Sequence, residues 1–281
     1  MDVSSKTRVL QRITSECLRS VRATSKLPPD AADQYLRRLP ADMRKWSAEL
    51  EAAAPEGLIR ELPEYEGYSR WASSYDNDPT NRVILAEQQV IWDTIGSVDG
   101  RRVLDVGCGT GRHTIPLSRM GATVVASEPN DTFRAMARAK DTSHSTQIQW
   151  LPFDIDHLPT SLGKFDLVLC CLVLSHVADL DGSLVRLSQY VADGGAIIVT
   201  DFHPFNLLIG WRTTFLAEGE RYVVPNFVHL PSHYFEAMRR AGLEIEVFRE
   251  VGDFPYLPDQ PATIIMKGRR RGLPDLPTQT L

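Results

Sequence analysis

The chain has 281 residues, with 31 Lys and Arg against 36 Asp and Glu, a formal net charge of −5. Hydrophobic residues make up 43% and charged residues 24%, proportions that allow a large core and argue against global disorder. The acidic balance disfavours nucleic acid as a partner, and the longest apolar run, Leu167–Leu174, has the length of a buried strand, not of a membrane span. Cys17, Cys108, Cys170 and Cys171 form no CxxC pair, so no metal site or disulfide framework is expected and the chain reads as cytoplasmic.

Residues 1–64 read as a helical extension. Val9, Ile13, Cys17 and Val21 recur every four residues, with Leu10 and Leu18 beside them, and this stripe offers a surface for a homodimer. The basic, Ser- and Thr-containing first 26 residues also suit an organellar transit peptide, although an amphipathic helix accounts for the same residues. Pro28-Pro29-Asp30 stops one helix and caps the next, which runs through Tyr35 and Leu36 to Leu39 and is expected to end at Pro40. Met43, Trp46 and Leu50 mark a third helix, closed by Pro55. Residues 1–60 carry a net charge of +3 and the remainder −8, so the extension differs in character from the rest of the chain.

After a helix over Pro79–Ile95, β-branched runs alternate with helical stretches. Strands are expected at Arg102–Val106, Thr123–Ser127, Ile148–Phe153, Phe165–Val173 and Ala196–Thr200. Between them lie helices at Gly111–Met120, Asp131–Lys140 and Gly182–Val191. This alternation predicts a doubly wound α/β fold, a parallel sheet covered on both faces. Residues 203–231 show no clear period and read as a long functional insertion. Ser232 then caps a helix through Arg240, strands are expected at Glu244–Phe248 and Ala262–Lys267, and 269–281 reads as a flexible tail. One catalytic unit over 65–268 accounts for most of the length.

The sharpest motif lies between the first strand of this series and its helix: Val103-Leu104-Asp105-Val106-Gly107-Cys108-Gly109-Thr110-Gly111. Glycines there let the backbone turn and approach a ligand closely. The spacing is GxGxG, with Arg112 where the third glycine of a dinucleotide fingerprint would stand, and Asp105 would repel a pyrophosphate. The motif resembles that of the class I S-adenosylmethionine-dependent methyltransferases, bacterial small-molecule enzymes among them, and the resemblance spans roughly residues 71–268. It implies a Rossmann-like seven-stranded sheet of order 3-2-1-4-5-7-6 with the last strand antiparallel. It also implies that S-adenosylmethionine is the cofactor and S-adenosylhomocysteine the product. Asp105, Gly107, Gly109, Gly111 and Arg112 would hold the amino-acid end, Glu128 followed by Pro129 the ribose, and Asp154 with Ile155 the adenine. Cys171 would line the methionine portion, and Tyr75, in Trp71–Asp76, would close over it.

Acceptor-side candidates fall after the fourth and fifth strands, because ligands bind at the carboxyl ends of parallel strands. His203 in Asp201-Phe202-His203-Pro204, His229 and His176 are the candidate catalytic bases. Trp211, Arg212, Phe215, Tyr222, His233 and Tyr234 are the candidate substrate contacts, suited to a hydrophobic or aromatic metabolite. The HxxxH spacing of His229 and His233 is not read as a metal pair, because Pro231 interrupts the helical face it would need. The expectation is a methyltransferase acting on a small molecule. The alternatives are a protein or RNA methyltransferase, and a cofactor-binding partner subunit without activity.

Overall fold

The computed structural model describes residues 10, 13–14, 16–17, 20, 28–52, 59–77, 82–142, 148–254 and 257–271. Val9, Leu18, Val21 and most of the tail expected at 269–281 lie outside them.

Seven strands form the central sheet: β2 (Arg102–Val106), β3 (Thr123–Ser127), β4 (Ile148–Leu151), β5 (Phe165–Cys171), β6 (Val191–Phe202), β9 (Leu243–Phe254) and β10 (Leu257–Arg270). Their order is β4-β3-β2-β5-β6-β10-β9, with β10 antiparallel to β6, as the resemblance implies. Alternation along each strand divides the core into two layers. Leu104, Val168, Cys170, Ile197, Val199, Ile264 and Met266 pack on one face with residues of helices Leu180–Ser188 and Pro231–Arg240. Val103, Leu167, Leu169, Ile198 and Ile265 pack on the other with Ile91 and Ile95 of helix Arg82–Ile95. Near-continuous apolar strands are what a sheet buried on both faces requires.

Several expected boundaries change. The extension does not break at Pro40: one helix runs Pro29–Ala52 with Pro40 inside it. Proline removes one helical hydrogen bond, and the carbonyl it frees belongs to the exposed residue Leu36, where water can satisfy it. The helix after the glycine loop shortens to Thr114–Arg119, because 111–113 form turns. Arg269 and Arg270, assigned to the tail, end β10, and Arg269 and Arg271 pair with Glu246 and Glu244.

The largest correction concerns 203–231. It holds a short helix, Pro204–Leu208, and the hairpin β7 (Thr213–Ala217)–β8 (Glu220–Val224). β1 (Ile59–Glu61) adds to β8 in parallel, making a second sheet of order β1-β8-β7. Helix Glu64–Tyr75 lies on that sheet through Trp71, Phe215, Tyr222 and Val224. Gly67 permits the close approach, since a Cβ there would come within 2.6 Å of Val224 Cγ2. No helix among the described residues is long and apolar enough to cross a membrane.

Candidate functional site

A cleft of about 590 Å³ opens at the carboxyl ends of β2, β3, β4 and β5, where the strand order reverses between β2 and β5. Such a switch point is where open α/β sheets bind ligands. The sheet supplies one wall and helix Glu64–Tyr75 much of the other.

The glycine loop forms the floor. Gly107, Gly109 and Gly111 all have positive φ, of 67°, 57° and 81°. At Gly107 a Cβ would come within 2.4 Å of Val173 Cγ2, whereas at Gly109, which lines the cleft, the space of a Cβ is open. Gly111 stands apart, packed against Ile115 and Ala137.

Three carboxylates from successive strand ends face this floor. Asp105 is buried and accepts a hydrogen bond from Thr114 Oγ1 at 2.6 Å, and its burial pushes its carboxyl above the ordinary range. Glu128 is fixed by two backbone donors, Gly109 N–H at 2.9 Å and Asn130 N–H at 2.8 Å, and burial raises it as well. Asp154 accepts from His157 N–H at 2.9 Å. This set suits an ammonium, a diol and an exocyclic amine on one molecule, and the open space at Gly109 leaves room for it. Pro129, Ile155, Cys171, Tyr75 and Arg112 also line the cleft, so every predicted cofactor residue except Gly111 is brought together there.

The predicted acceptor residues fare differently. His176 lines the cleft. Its Nδ1–H donates to the Pro225 carbonyl at 2.9 Å, which leaves Nε2 to accept from Tyr68 O–H at 2.8 Å. Burial lowers its pKa to about 4, so the ring is neutral. His203 is not at the cleft: it is buried, its Nε2 meets Glu250 at 2.9 Å, and its Nδ1 accepts from Phe205 N–H to cap helix Pro204–Leu208. His229 donates from Nε2 to the Val177 carbonyl at 2.7 Å, and His233 caps its own helix at Leu230 N–H. Trp211 packs against Phe202, and Arg212 closes the helix end through the Leu207 carbonyl. Phe215 stacks between Trp71 and Tyr222. Tyr234 O–H donates to the buried Asp201 at 2.7 Å. None of these eight residues lines the cleft: Phe215 and Tyr222 pack in the core of the small sheet and Trp211 beside Phe202, and of the insertion's aromatic side chains Phe227 reaches the cleft.

Sequence reasoning missed the residues that join the two walls. Asn130 caps helix Asp131–Lys140 through Thr132 N–H and Phe133 N–H, while its Nδ2 donates to the Tyr65 carbonyl and to Ser69 Oγ, each at 2.9 Å. Asp76 accepts from Thr110 Oγ1 at 2.6 Å and pairs with Lys140. Pro129-Asn130-Asp131 carries a helix-start signal, but its tie to a segment 61 residues away leaves no local trace. Glu64, Tyr65, Tyr68, Phe133 and Phe227 complete the cleft. Glu64 is exposed at the mouth of the cleft, and desolvation by the cleft followed by the charges of Glu128 and Asp154 raises its pKa to about 7. Glu87, His113 and Cys171 bring three metal-capable donors within 4.8 Å of one another. Arg112 already neutralises that carboxylate, and burial keeps the thiol protonated, so the cluster is better described as an ion pair.

Residues 104–199 match the family model described as a methyltransferase domain. Magnesium protoporphyrin IX methyltransferase of Arabidopsis thaliana is 31% identical over 163 residues, 53% of this chain and 52% of that protein. Demethylmenaquinone methyltransferase of Tropheryma whipplei is 29% identical over 199 residues, 69% and 80%. Ubiquinone biosynthesis O-methyltransferase of Rhizobium etli is 33% identical over 154 residues, 53% and 62%. The chain thus spans between about half and four-fifths of the length of these relatives. Among solved structures, an S-adenosylmethionine-dependent methyltransferase from Listeria monocytogenes superposes with a TM-score of 0.58 at 18% identity, covering 67% of this chain and 99% of that one. The magnesium protoporphyrin IX methyltransferase of Synechocystis with bound S-adenosylmethionine gives 0.55 at 21%, covering 73% and 91%.

Residues 104–199 thus match a methyltransferase domain, and the seven-stranded sheet around them has the fold of the solved methyltransferases.

Proposed function

We propose that this protein transfers a methyl group from S-adenosylmethionine to a hydroxyl of a small organic acceptor. The observation that carries the reading is the trio Asp105, Glu128 and Asp154, presented from three successive strand ends into one cleft whose opposite wall is aromatic. Names of relatives support a small acceptor, since they act on a porphyrin and on quinone precursors.

Asp105 would meet the cofactor's ammonium, Glu128 the ribose hydroxyls and Asp154 the adenine amine. When bound, the cofactor supplies a methyl group on a positively charged sulfur. The protein's own share is therefore alignment, exclusion of water and removal of one proton. Tyr68, Tyr75, Phe133 and Phe227 line the cleft, and their rings would exclude water from the acceptor side. The fixed tautomer of His176 leaves Nε2 as the acceptor of the Tyr68 proton. A hydroxyl proton can pass to Tyr68 Oη while the Tyr68 proton moves to His176 Nε2. A neutral imidazole with so low a pKa is a weak base, but a hydroxyl becomes strongly acidic as its oxygen takes the methyl, so a weak base suffices.

The test combines binding with product identification. Isothermal titration with S-adenosylhomocysteine should show one site. Methyl-labelled cofactor incubated with an extract of the source should yield a labelled small molecule. Absence of binding, or label found only in protein or RNA, refutes the reading.

A further inference from the structure

Behind the cleft, several elements converge on one buried carboxylate. Glu87, from helix Arg82–Ile95, is completely buried. One of its oxygens pairs with Arg112 Nη1. The other accepts from Thr200 Oγ1 at 2.8 Å and lies 3.3 Å from His113 Nε2. These partners outweigh burial and hold the Glu87 carboxyl down at about 2, so it is ionised. A buried ion pair seldom stabilises a core better than well-packed apolar side chains would, so its presence beside a ligand cleft asks for another explanation.

Arg112 offers one. A guanidinium has five N–H donors in a rigid fork, and Glu87 is the single hydrogen-bond partner of Arg112 among the described residues. The side chain is only 19% exposed, and it lines the cleft. Buried donors demand acceptors, so the cleft presents unspent N–H groups to whatever fills it. The terminal carboxylate is the one anionic group of the cofactor, and a guanidinium fork matches a carboxylate in shape and charge.

We propose that Glu87 is a positioning residue that holds the Arg112 guanidinium at the cleft wall to receive the cofactor's carboxylate. The inference rests on the cofactor reading above. Glu87 touches no ligand in this scheme. It orients Arg112, and Thr200 on β6 in turn orients Glu87, so the end of β6 communicates with the cofactor site through one carboxylate.

The experiment compares two ligands by isothermal titration: S-adenosylhomocysteine, and S-adenosyl-3-thiopropylamine, the same molecule without its carboxylate. Glu87→Gln is expected to weaken the first by about 10–100-fold and the second by less than about twofold. Arg112→Gln should give the same pattern, and Glu87→Gln with Arg112→Gln no further loss, because the two residues act as one unit. Thr200→Val, which keeps the side chain's shape, should give a smaller loss of the same selectivity and decides the matter if Glu87→Gln does not fold. Equal weakening of both ligands, or of neither, overturns the proposal. Wild-type protein that binds neither ligand overturns instead the cofactor reading on which it rests.

Discussion

The two walls of the cleft are built on different principles. On the sheet side, each functional group sits within a few residues of a strand end: Asp105 at the penultimate position of β2 and Gly107 just after it, Glu128 after β3, Asp154 after β4. On the opposite side, helix Glu64–Tyr75 rests on a small sheet made from β1 and a hairpin about 150 residues away. That side reaches the cleft through Glu64, Tyr65, Tyr68, Tyr75 and Phe227. The first wall is local chemistry on a fixed scaffold. The second is assembled by tertiary contact, and it is the one that would meet the acceptor.

Perturbing each wall separately should break or sharpen this contrast. The largest effect is expected on the sheet side. Gly107→Ala places a Cβ against Val173 at a backbone φ of 67°, so S-adenosylhomocysteine binding should fall by more than about 100-fold in a protein that still shows its folded circular dichroism spectrum. Retained affinity would show that the loop does not need its glycine.

Where the two walls meet, His176→Asn and Tyr68→Phe should lower kcat by about 100-fold while leaving S-adenosylhomocysteine affinity within about twofold. Unchanged turnover would remove the pair from the reaction and leave it a tie between helix Glu64–Tyr75 and the sheet side.

A smaller effect links the walls. The Glu64 carboxyl at the cleft mouth is pushed up to about 7 by desolvation within the cleft and by the charges of Glu128 and Asp154. Its charge is mostly absent at pH 6 and mostly present at pH 8. The cationic cofactor should accordingly gain affinity relative to its neutral-sulfur product by several-fold across that interval. Glu64→Gln should flatten the ratio, and a ratio that still rises in this variant assigns the titration to another group. The sign for stability is opposite. A carboxyl raised in the folded state contributes fully below its unfolded pKa, and that contribution is lost as pH rises through 7.

The smallest effect is expected at His203. Its partners are Glu250 and Phe205 N–H, away from the cleft, so His203→Ala should cost on the order of 1 kcal/mol of stability and leave kcat within about twofold. A large loss of turnover at full folding would return it to the site.

The same contrast explains what was legible in the sequence. The strand runs, the GxGxG loop, Glu128 and Asp154 are signals within short windows, and the sheet order followed from the resemblance they carry. Pairings such as Tyr68 with His176, 108 residues apart, or Thr200 with Glu87, 113 apart, leave no periodicity to read. The insertion misled for a physical reason. An aromatic-rich segment without a clear period looks like an acceptor pocket, but Phe215 and Tyr222 build the core of the small sheet, and Trp211 packs with Phe202 and Leu207 in a separate cluster beside the central sheet. His203 misled similarly, since a strand's carboxyl end is where catalysis sits and also where a helix must be capped. The proline at 40 was overread because a surface helix can lose one hydrogen bond to water.

The most direct measurement is a crystal structure with S-adenosylhomocysteine bound. The expected result places the ligand between the two walls, its adenine at Asp154, its ribose at Glu128 and its amino-acid end at Asp105 and Arg112. Density for the ligand elsewhere on the protein, or a cleft left vacant at saturating ligand, would contradict the assignment of this cleft as the methyl-transfer site.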